Sequence, residues 1–184
     1  FGPADAPLML AIAPTRELAL QVSAELEWLY GQSGAKITTC VGGMDARKEA
    51  RALNFGIHIV VGTPGRLKDH IDRGNLDLSA LRVLVLDEAD EMLDMGFRED
   101  LEYILEQSPP ERRTLLFSAT IARDIAMLAK RYQRDAVRID TVDRSAPHSD
   151  IEYRALRIAP NEIEHAVVNV LRFYEAPGAL VFCS

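Results

Sequence analysis

Short apolar runs alternate along the chain with longer segments in which apolar residues recur every three or four positions. The short runs predict β-strands at residues 8–13, 36–41, 58–61, 83–86, 114–117 and 136–139. The periodic segments predict amphipathic helices, with apolar faces formed by Leu18, Val22, Leu26 and Leu29 and by Ile121, Ile125, Leu128 and Tyr132. This alternation predicts an α/β fold with a parallel sheet, and the unbroken run at 83–86 predicts that helices cover both of its faces.

The pattern lapses into a polar stretch near residues 141–150, which contains Pro147. We therefore predict a first domain at 1–142, a linker at 143–150 and the start of a second domain at 151–184. In that last part we expect strands at 151–158 and 179–183. Between them we expect a helix that starts at a capping pair, Asn161 and Glu164, and carries the apolar stripe Ile163, Val167, Val170, Leu171 and Tyr174. A segment this short cannot bury a core of its own.

Charge and composition narrow the function classes. The 21 Lys and Arg residues are outnumbered by 28 Asp and Glu, and the net charge of −7 argues against a protein that attracts polyanions through its overall field. Any nucleic-acid contact must then be local. We expect a cytoplasmic protein, because the sequence has no membrane-spanning apolar run and no signal peptide. Cys40 and Cys183 predict neither a disulfide framework nor a zinc site, and we expect the four histidines, which lack metal-ligand spacing, at the surface or at edges: His58, His70, His148 and His165.

An acidic cluster follows the apolar run at 83–86. Asp87, Glu88 and Asp90 would lie at the carboxyl end of a strand, where open α/β sheets bind their ligands. One carboxylate there can hold a hydrated magnesium ion on a nucleotide while its neighbour orients the attacking water. The alternative is an acidic helix start favoured by the helix dipole, with the helix beginning near Glu91.

Two predicted helices begin with residues suited to binding phosphate. Thr63 is a good N-cap and Pro64 fits the first helical position, which predicts a helix from Pro64 to Asp72. Free amide groups at its start, together with Arg66, make a phosphate site. Pro14, Thr15 and Arg16 open another helix in the same way. The alternative is plain capping, with both arginines solvated.

Small residues end two further strands. Gly42 and Gly43 follow the second strand and let another backbone approach closely. Ser118 and Thr120 follow the fifth strand; by themselves they are also compatible with a turn whose hydroxyls bond local backbone. Because parallel strands end at one edge of a sheet, all of these motifs should collect there.

In this set and this order, the motifs resemble those of the DEAD-box family of ATP-dependent RNA helicases. The resemblance extends from Leu8 to Ser184, and the sequence of residues 92–97 resembles that of bacterial members. It implies a RecA-like parallel sheet of the P-loop NTPase type. It also implies that residues 1–142 are a first RecA-like domain lacking its N-terminal part, and that residues 151–184 begin a second one.

The resemblance also implies roles for single residues, with ATP and Mg²⁺ as cofactors and RNA as the partner. Asp87 would hold Mg²⁺ through water, Glu88 would position or activate the hydrolytic water, and Asp90 would bond to Ser118 and Thr120. RNA would be held by its backbone, without base reading, and bent at the helix after Thr63. The implied RNA-binding residues are Pro14, Thr15, Arg16, Glu17, Gly42, Gly43, Thr63, Pro64, Gly65 and Arg66.

The sequence departs from the family at the phosphate-binding loop. It contains no Gly-x-x-x-x-Gly-Lys followed by Ser or Thr, the loop that cradles phosphates. We therefore expect the 184 residues to be a piece of a longer helicase and to be inactive alone. Two other interpretations stay open: an RNA-binding or interaction module without ATPase activity, and a DNA-directed helicase or translocase.

Overall fold

The computed structural model describes residues 2, 5–141, 152 and 154–182. The chain divides into two compact units, residues 1–137 and 138–184. The predicted linker at 143–150 lies outside the described residues, so the predicted domain limits stay a prediction. None of the helices in the described ranges is long and apolar enough to cross a membrane.

A five-stranded sheet forms the centre of the first unit. Its strands are β1 (Met9–Ile12), β2 (Ile37–Cys40), β3 (Ile59–Gly62), β4 (Val83–Leu86) and β5 (Arg113–Leu116). All neighbours pair in parallel, in the order β2-β3-β1-β4-β5, which confirms the predicted fold class. Ile12 pairs with Gly62 on one side and with Leu86 on the other, so the strands end at one level.

Six helices of the first unit pack around the sheet: α1 (Arg16–Tyr30), α2 (Ala46–Leu53), α3 (Pro64–Asp72), α4 (Ala89–Asp94), α5 (Arg98–Gln107) and α6 (Arg123–Tyr132). Alternate strand residues enter two cores. Leu10 and Leu84 join the larger core with α2 to α6, whereas Ala11 and Val61 face α1. The α1 core is the smaller of the two and leaves Val85 only partly buried, so coverage of both faces is confirmed but unequal.

Several sequence-based element boundaries need correction. Residues 136–139 form no strand, and Val137 and Ile139 are 85% and 83% exposed. Within the described residues β5 bonds to β4 alone, so residues 136–139 do not extend the sheet. The acidic helix begins at Ala89, two residues before Glu91. Leu29 is exposed although it continues the apolar face of α1.

The second unit contains a 3-10 turn (Pro160–Glu162) followed by α7 (Ile163–Tyr174). The predicted cap at Asn161 is wrong: α7 begins at Ile163 and has no side-chain cap bond. Residues 154–158 and 179–182 form no strand, and the other residues of those two predictions (151, 153 and 183) lie outside the described ranges. No residue of α7 is buried, as expected for a segment too short to build a core.

Candidate functional site

The sheet order sorts the predicted motifs into two groups along one edge. The ends of β2, β3 and β1 are adjacent and lead into Gly42–Gly43, Thr63–Arg66 and Pro14–Glu17. The ends of β4 and β5 are adjacent on the other side of β1 and lead into Asp87–Asp90 and Ser118–Thr120. Helix-start and glycine motifs therefore occupy one half of the edge, and carboxylates and hydroxyls occupy the other.

The backbone turns sharply where β4 ends. Glu88 has φ 49° and ψ 54°, in the left-handed region that non-glycine residues rarely adopt. Its N–H donates to Asp87 Oδ1 at 3.1 Å, and the next N–H, of Ala89, donates to Phe117 O at 3.0 Å. Such a conformation costs about 1–3 kcal/mol and clusters at functional sites, although Asp135 and Glu175 also have positive φ. Because Glu88 is exposed and makes no side-chain cap bond, helix capping does not explain it.

A shallow apolar concavity of about 180 Å³ lies beside Asp87. Of its lining residues only Asp87 is charged; the others include Ala11, Val61 and Val85 from three strands and Phe117 after β5. Carboxylate oxygens at such a position suit a hydrated Mg²⁺ ion, which is usually held by one or two carboxylates and several waters. Asp87 and Glu88 thus fit the metal side of a nucleotide site, whereas the 184 residues contain no lysine loop for the phosphates.

Asp90 joins the ends of β4 and β5. Its Oδ2 accepts hydrogen bonds from Thr120 N at 2.9 Å and Thr120 Oγ1 at 3.0 Å. Ser118 Oγ donates to Thr120 O at 2.7 Å. Desolvation by itself would raise the pKa of Asp90, but the hydrogen bonds from Thr120 and nearby backbone outweigh it and lower this pKa. The carboxylate is therefore ionised and fixed to the segment that follows β5.

The end of β1 and the end of β2 meet at Arg16 and Gly43. Thr15 caps α1 by accepting a bond from Leu18 N at 3.2 Å, and Arg16 is exposed in the first turn. Gly43 has φ +78°, and a Cβ built there would lie 3.0 Å from Arg16 Nη1. A Cβ at Gly42 would meet nothing within 4 Å. The two motifs therefore adjoin and leave open space above the strand end.

Helix α3 has the predicted limits, and Pro64 occupies its first turn. Thr63, however, makes no side-chain cap bond; its N–H donates to Cys40 O at 3.1 Å. Arg66 is only 17% exposed, and its Nη1 donates to Glu49 Oε2 at 2.8 Å and to Met44 O at 3.2 Å. The alternative in which Arg66 is merely solvated is therefore wrong.

Sequence analysis missed a buried polar cluster behind α3. Cys40, Glu49 and His70 place their potential ligand atoms within 4.8 Å of one another. His70 and His58 are buried, at 1% and 4% exposure, so neither lies at the surface, one of the two kinds of position expected for them. His165 is exposed, and His148 lies outside the described residues. A signal did exist for Glu49, which shares the helical face of Ala46, Ala50 and Leu53.

Comparison with known proteins agrees with this geometry. The sequence model of the DEAD/DEAH box helicase family matches residues 3–128. The chain belongs to this family. It is 43% identical over 180 residues to the ATP-dependent RNA helicase DeaD of Haemophilus influenzae, covering 96% of this chain and 29% of the relative. It is 48% identical over 142 residues to DEAD-box ATP-dependent RNA helicase 9 of rice (Oryza sativa), covering 77% of this chain and 22% of the relative.

A solved structure of the same family has the same fold. The crystal structure of a DEAD box protein from the hyperthermophile Methanococcus jannaschii matches with a TM-score of 0.72 and 40% sequence identity. The match covers 92% of this chain and 46% of that one. The chain thus spans less than half the length of these helicase relatives.

Proposed function

We propose that the complete protein is an ATP-dependent RNA helicase, in which ATP hydrolysis is coupled to RNA binding and local duplex unwinding. The observation that carries this proposal is the sorting of the sheet edge into a carboxylate half and a helix-start half that share β1. The first suits a magnesium nucleotide and the second suits a phosphate backbone. Names of the family relatives support the same activity.

On the carboxylate half, Asp87 would bind the magnesium ion of ATP through water. Bound Mg²⁺ would neutralise charge on the phosphates. Glu88 would position or activate the hydrolytic water, a role worth typically about 10²–10⁴-fold in rate. Asp90, through its bonds to Thr120, would link this site to the segment after β5.

On the helix-start half, the protein would hold one RNA strand by its sugar-phosphate backbone. The proposed contacts are Pro14, Thr15, Arg16, Glu17, Gly42, Gly43, Thr63, Pro64, Gly65 and Arg66. Exposed Arg16 and the open space at Gly42 support this proposal. Contacts of this kind fix position without reading sequence. A bend at α3 would break base pairs locally, each stacking step costing about 1–2 kcal/mol.

Further proposals concern the whole protein. Residues 1–142 would belong to the first RecA-like domain, 143–150 to a linker and 151–184 to the start of a second RecA-like domain. A cytoplasmic place of action suits a chain whose two cysteines provide no disulfide framework.

The test is ATP hydrolysis by the complete protein with single-stranded RNA, with single-stranded DNA of the same sequence, and without nucleic acid. RNA should stimulate hydrolysis more than DNA does. RNA binding without any ATPase activity would favour a binding module. Equal stimulation by DNA would favour a DNA-directed translocase.

A further inference from the structure

One buried carboxylate connects the elements of the helix-start half. Glu49, on α2, is 7% exposed. Its Oε1 accepts a bond from Val41 N at 3.0 Å, directly before Gly42. Its Oε2 lies 2.8 Å from Arg66 Nη1 and 2.7 Å from His70 Nε2. A single side chain therefore ties α2 to the end of β2 and to α3.

The hydrogen atoms of this network can be assigned. His70 Nδ1 lies 3.3 Å from Asn75 Nδ2, an amide nitrogen that can only donate. A carboxylate oxygen can only accept, so Nε2 of His70 carries the hydrogen that is donated to Glu49. The Glu49 carboxylate thus accepts three hydrogen bonds, which compensate for the burial of its charge.

The same contacts fix the orientation of Arg66. Its Nη1 is used inward, by Glu49 and by Met44 O. For its Nε and Nη2 atoms, the described part of the chain provides no hydrogen-bond partner. These N–H groups lie on one edge of the planar guanidinium, the geometry that binds phosphate in a bidentate manner.

The side chains of Cys40, Glu49 and His70 lie close enough together to suggest a metal site, but the chemistry of the cluster disfavours one. The pKa of Cys40 is raised to about 12, mainly because burial disfavours the thiolate. The charge of Glu49 adds to this rise, and the charge of Arg66 opposes it. Metals bind the thiolate rather than the thiol. A guanidinium cation already pairs with the carboxylate that a metal would need.

We propose that Glu49 is a positioning residue for RNA binding: it holds Nη1 of Arg66 inward so that the Nε and Nη2 edge meets an RNA phosphate beside Gly42 and Gly43. This inference rests on the proposed function. It assigns Glu49, which lies outside every motif identified in the sequence, an effect on RNA affinity that is exerted through Arg66.

The test measures binding of a labelled polyuridylate single strand to the complete protein, with a non-hydrolysable ATP analogue, between about 50 and 200 mM salt. The main variant is Glu49→Gln, which keeps the shape and one acceptor but removes the charge. Asp69→Asn is the matched control, because Asp69 is a carboxylate on α3 that pairs with Arg73 at the surface. Thermal unfolding of each variant shows whether it is folded at the binding temperature. Glu49→Asp, which keeps the charge, replaces Glu49→Gln if that variant unfolds, and it should then bind with the wild-type salt slope.

We expect Glu49→Gln to weaken RNA binding roughly tenfold and to lower the salt slope by about 0.7, the value for one phosphate on a single strand. Arg66→Ala should have the same effect, and the double variant should be no weaker than Arg66→Ala alone. Unchanged affinity and slope in folded Glu49→Gln, tighter binding, or losses that multiply in the double variant would overturn the inference. A changed slope in Glu49→Asp would do the same. If the wild-type protein bound no RNA, the proposed function would fail first, and the two failures are thus distinguishable.

Discussion

Replacing Gly62 by alanine should destabilise the fold through one identifiable steric clash. Gly62 is the last residue of β3 and is buried between β1 and β2. A Cβ there would lie 2.5 Å from Cys40 O and 2.8 Å from both Cγ and Cδ2 of Leu67. The first contact is with backbone in a neighbouring strand, and the second is with a fully buried core side chain. Neither neighbour can move away without disturbing the end of the sheet.

The expected magnitude follows from these contacts. Overpacking of a well-packed core costs about 1–3 kcal/mol, and a backbone oxygen at this distance places Gly62→Ala near the upper end. Alanine also lowers the conformational entropy of the unfolded chain, which stabilises the folded state by about 0.4–1 kcal/mol. The net loss should therefore be about 2 kcal/mol, or a fall of about 4–8 °C in Tm for a chain of this size.

Urea and thermal unfolding of the chain, followed by circular dichroism, measure this loss. Gly42→Ala is the matched control, because its Cβ would meet nothing within 4 Å and its backbone does not require glycine. It should leave stability within about 0.5 kcal/mol of wild type and should still weaken RNA binding in the complete protein. A Gly62→Ala variant as stable as Gly42→Ala would refute the steric reasoning.

Three further outcomes are expected. Arg16→Ala in the complete protein should weaken single-stranded RNA binding with little sequence preference and lower the salt slope by about 0.7, since Arg16 is exposed at a helix start; an unchanged slope in filter binding would contradict this. The 184-residue chain alone should show no heat of Mg-ATP binding at millimolar nucleotide in calorimetric titration, because it lacks the phosphate-cradling loop and has a net charge of −7; micromolar affinity would contradict this. Since the folded-state pKa of Asp90 is lowered, the stabilisation from its bonds to Thr120 should be present above about pH 4 and lost as the pH falls through the folded pKa. Between about pH 2 and 6, the free energy of unfolding of Asp90→Asn should therefore be lower than that of wild type, and this difference should shrink on acidification. A difference that is independent of pH would argue against this assignment.

Elements with strong local signals could be predicted from the sequence. Thr63 and Pro64 predicted where α3 begins, and five of the six apolar runs predicted as strands within residues 1–142 are strands. Because parallel strands end together, the motifs could also be assigned to one edge. Local patterns alone do not specify partners, however. Residues 136–139 alternate like a strand, but within the described part of the chain β5 pairs only with β4.

The Glu49 network could not be predicted, because it depends on packing between distant segments. Glu49 and His70 are 21 residues apart and meet only when α2 and α3 both pack against the larger core. Sequence patterns do indicate that a helical face containing Leu53 and Glu49 is buried. They do not indicate which cation or donor will satisfy the carboxylate. The partner of Arg66 was missed for the same reason.

We propose that the acidic end of β4 hydrolyses ATP in the complete protein. Single-turnover hydrolysis by the complete protein, comparing Glu88→Gln with wild type, tests it most directly. Glu91→Gln is the matched control, because Glu91 is an acidic residue in the first turn of α4. Glu88→Gln should keep ATP binding and lose about 10²–10⁴-fold in rate, whereas Glu91→Gln should hydrolyse normally. Near-normal turnover by Glu88→Gln would contradict the account and leave the acidic cluster as a helix start.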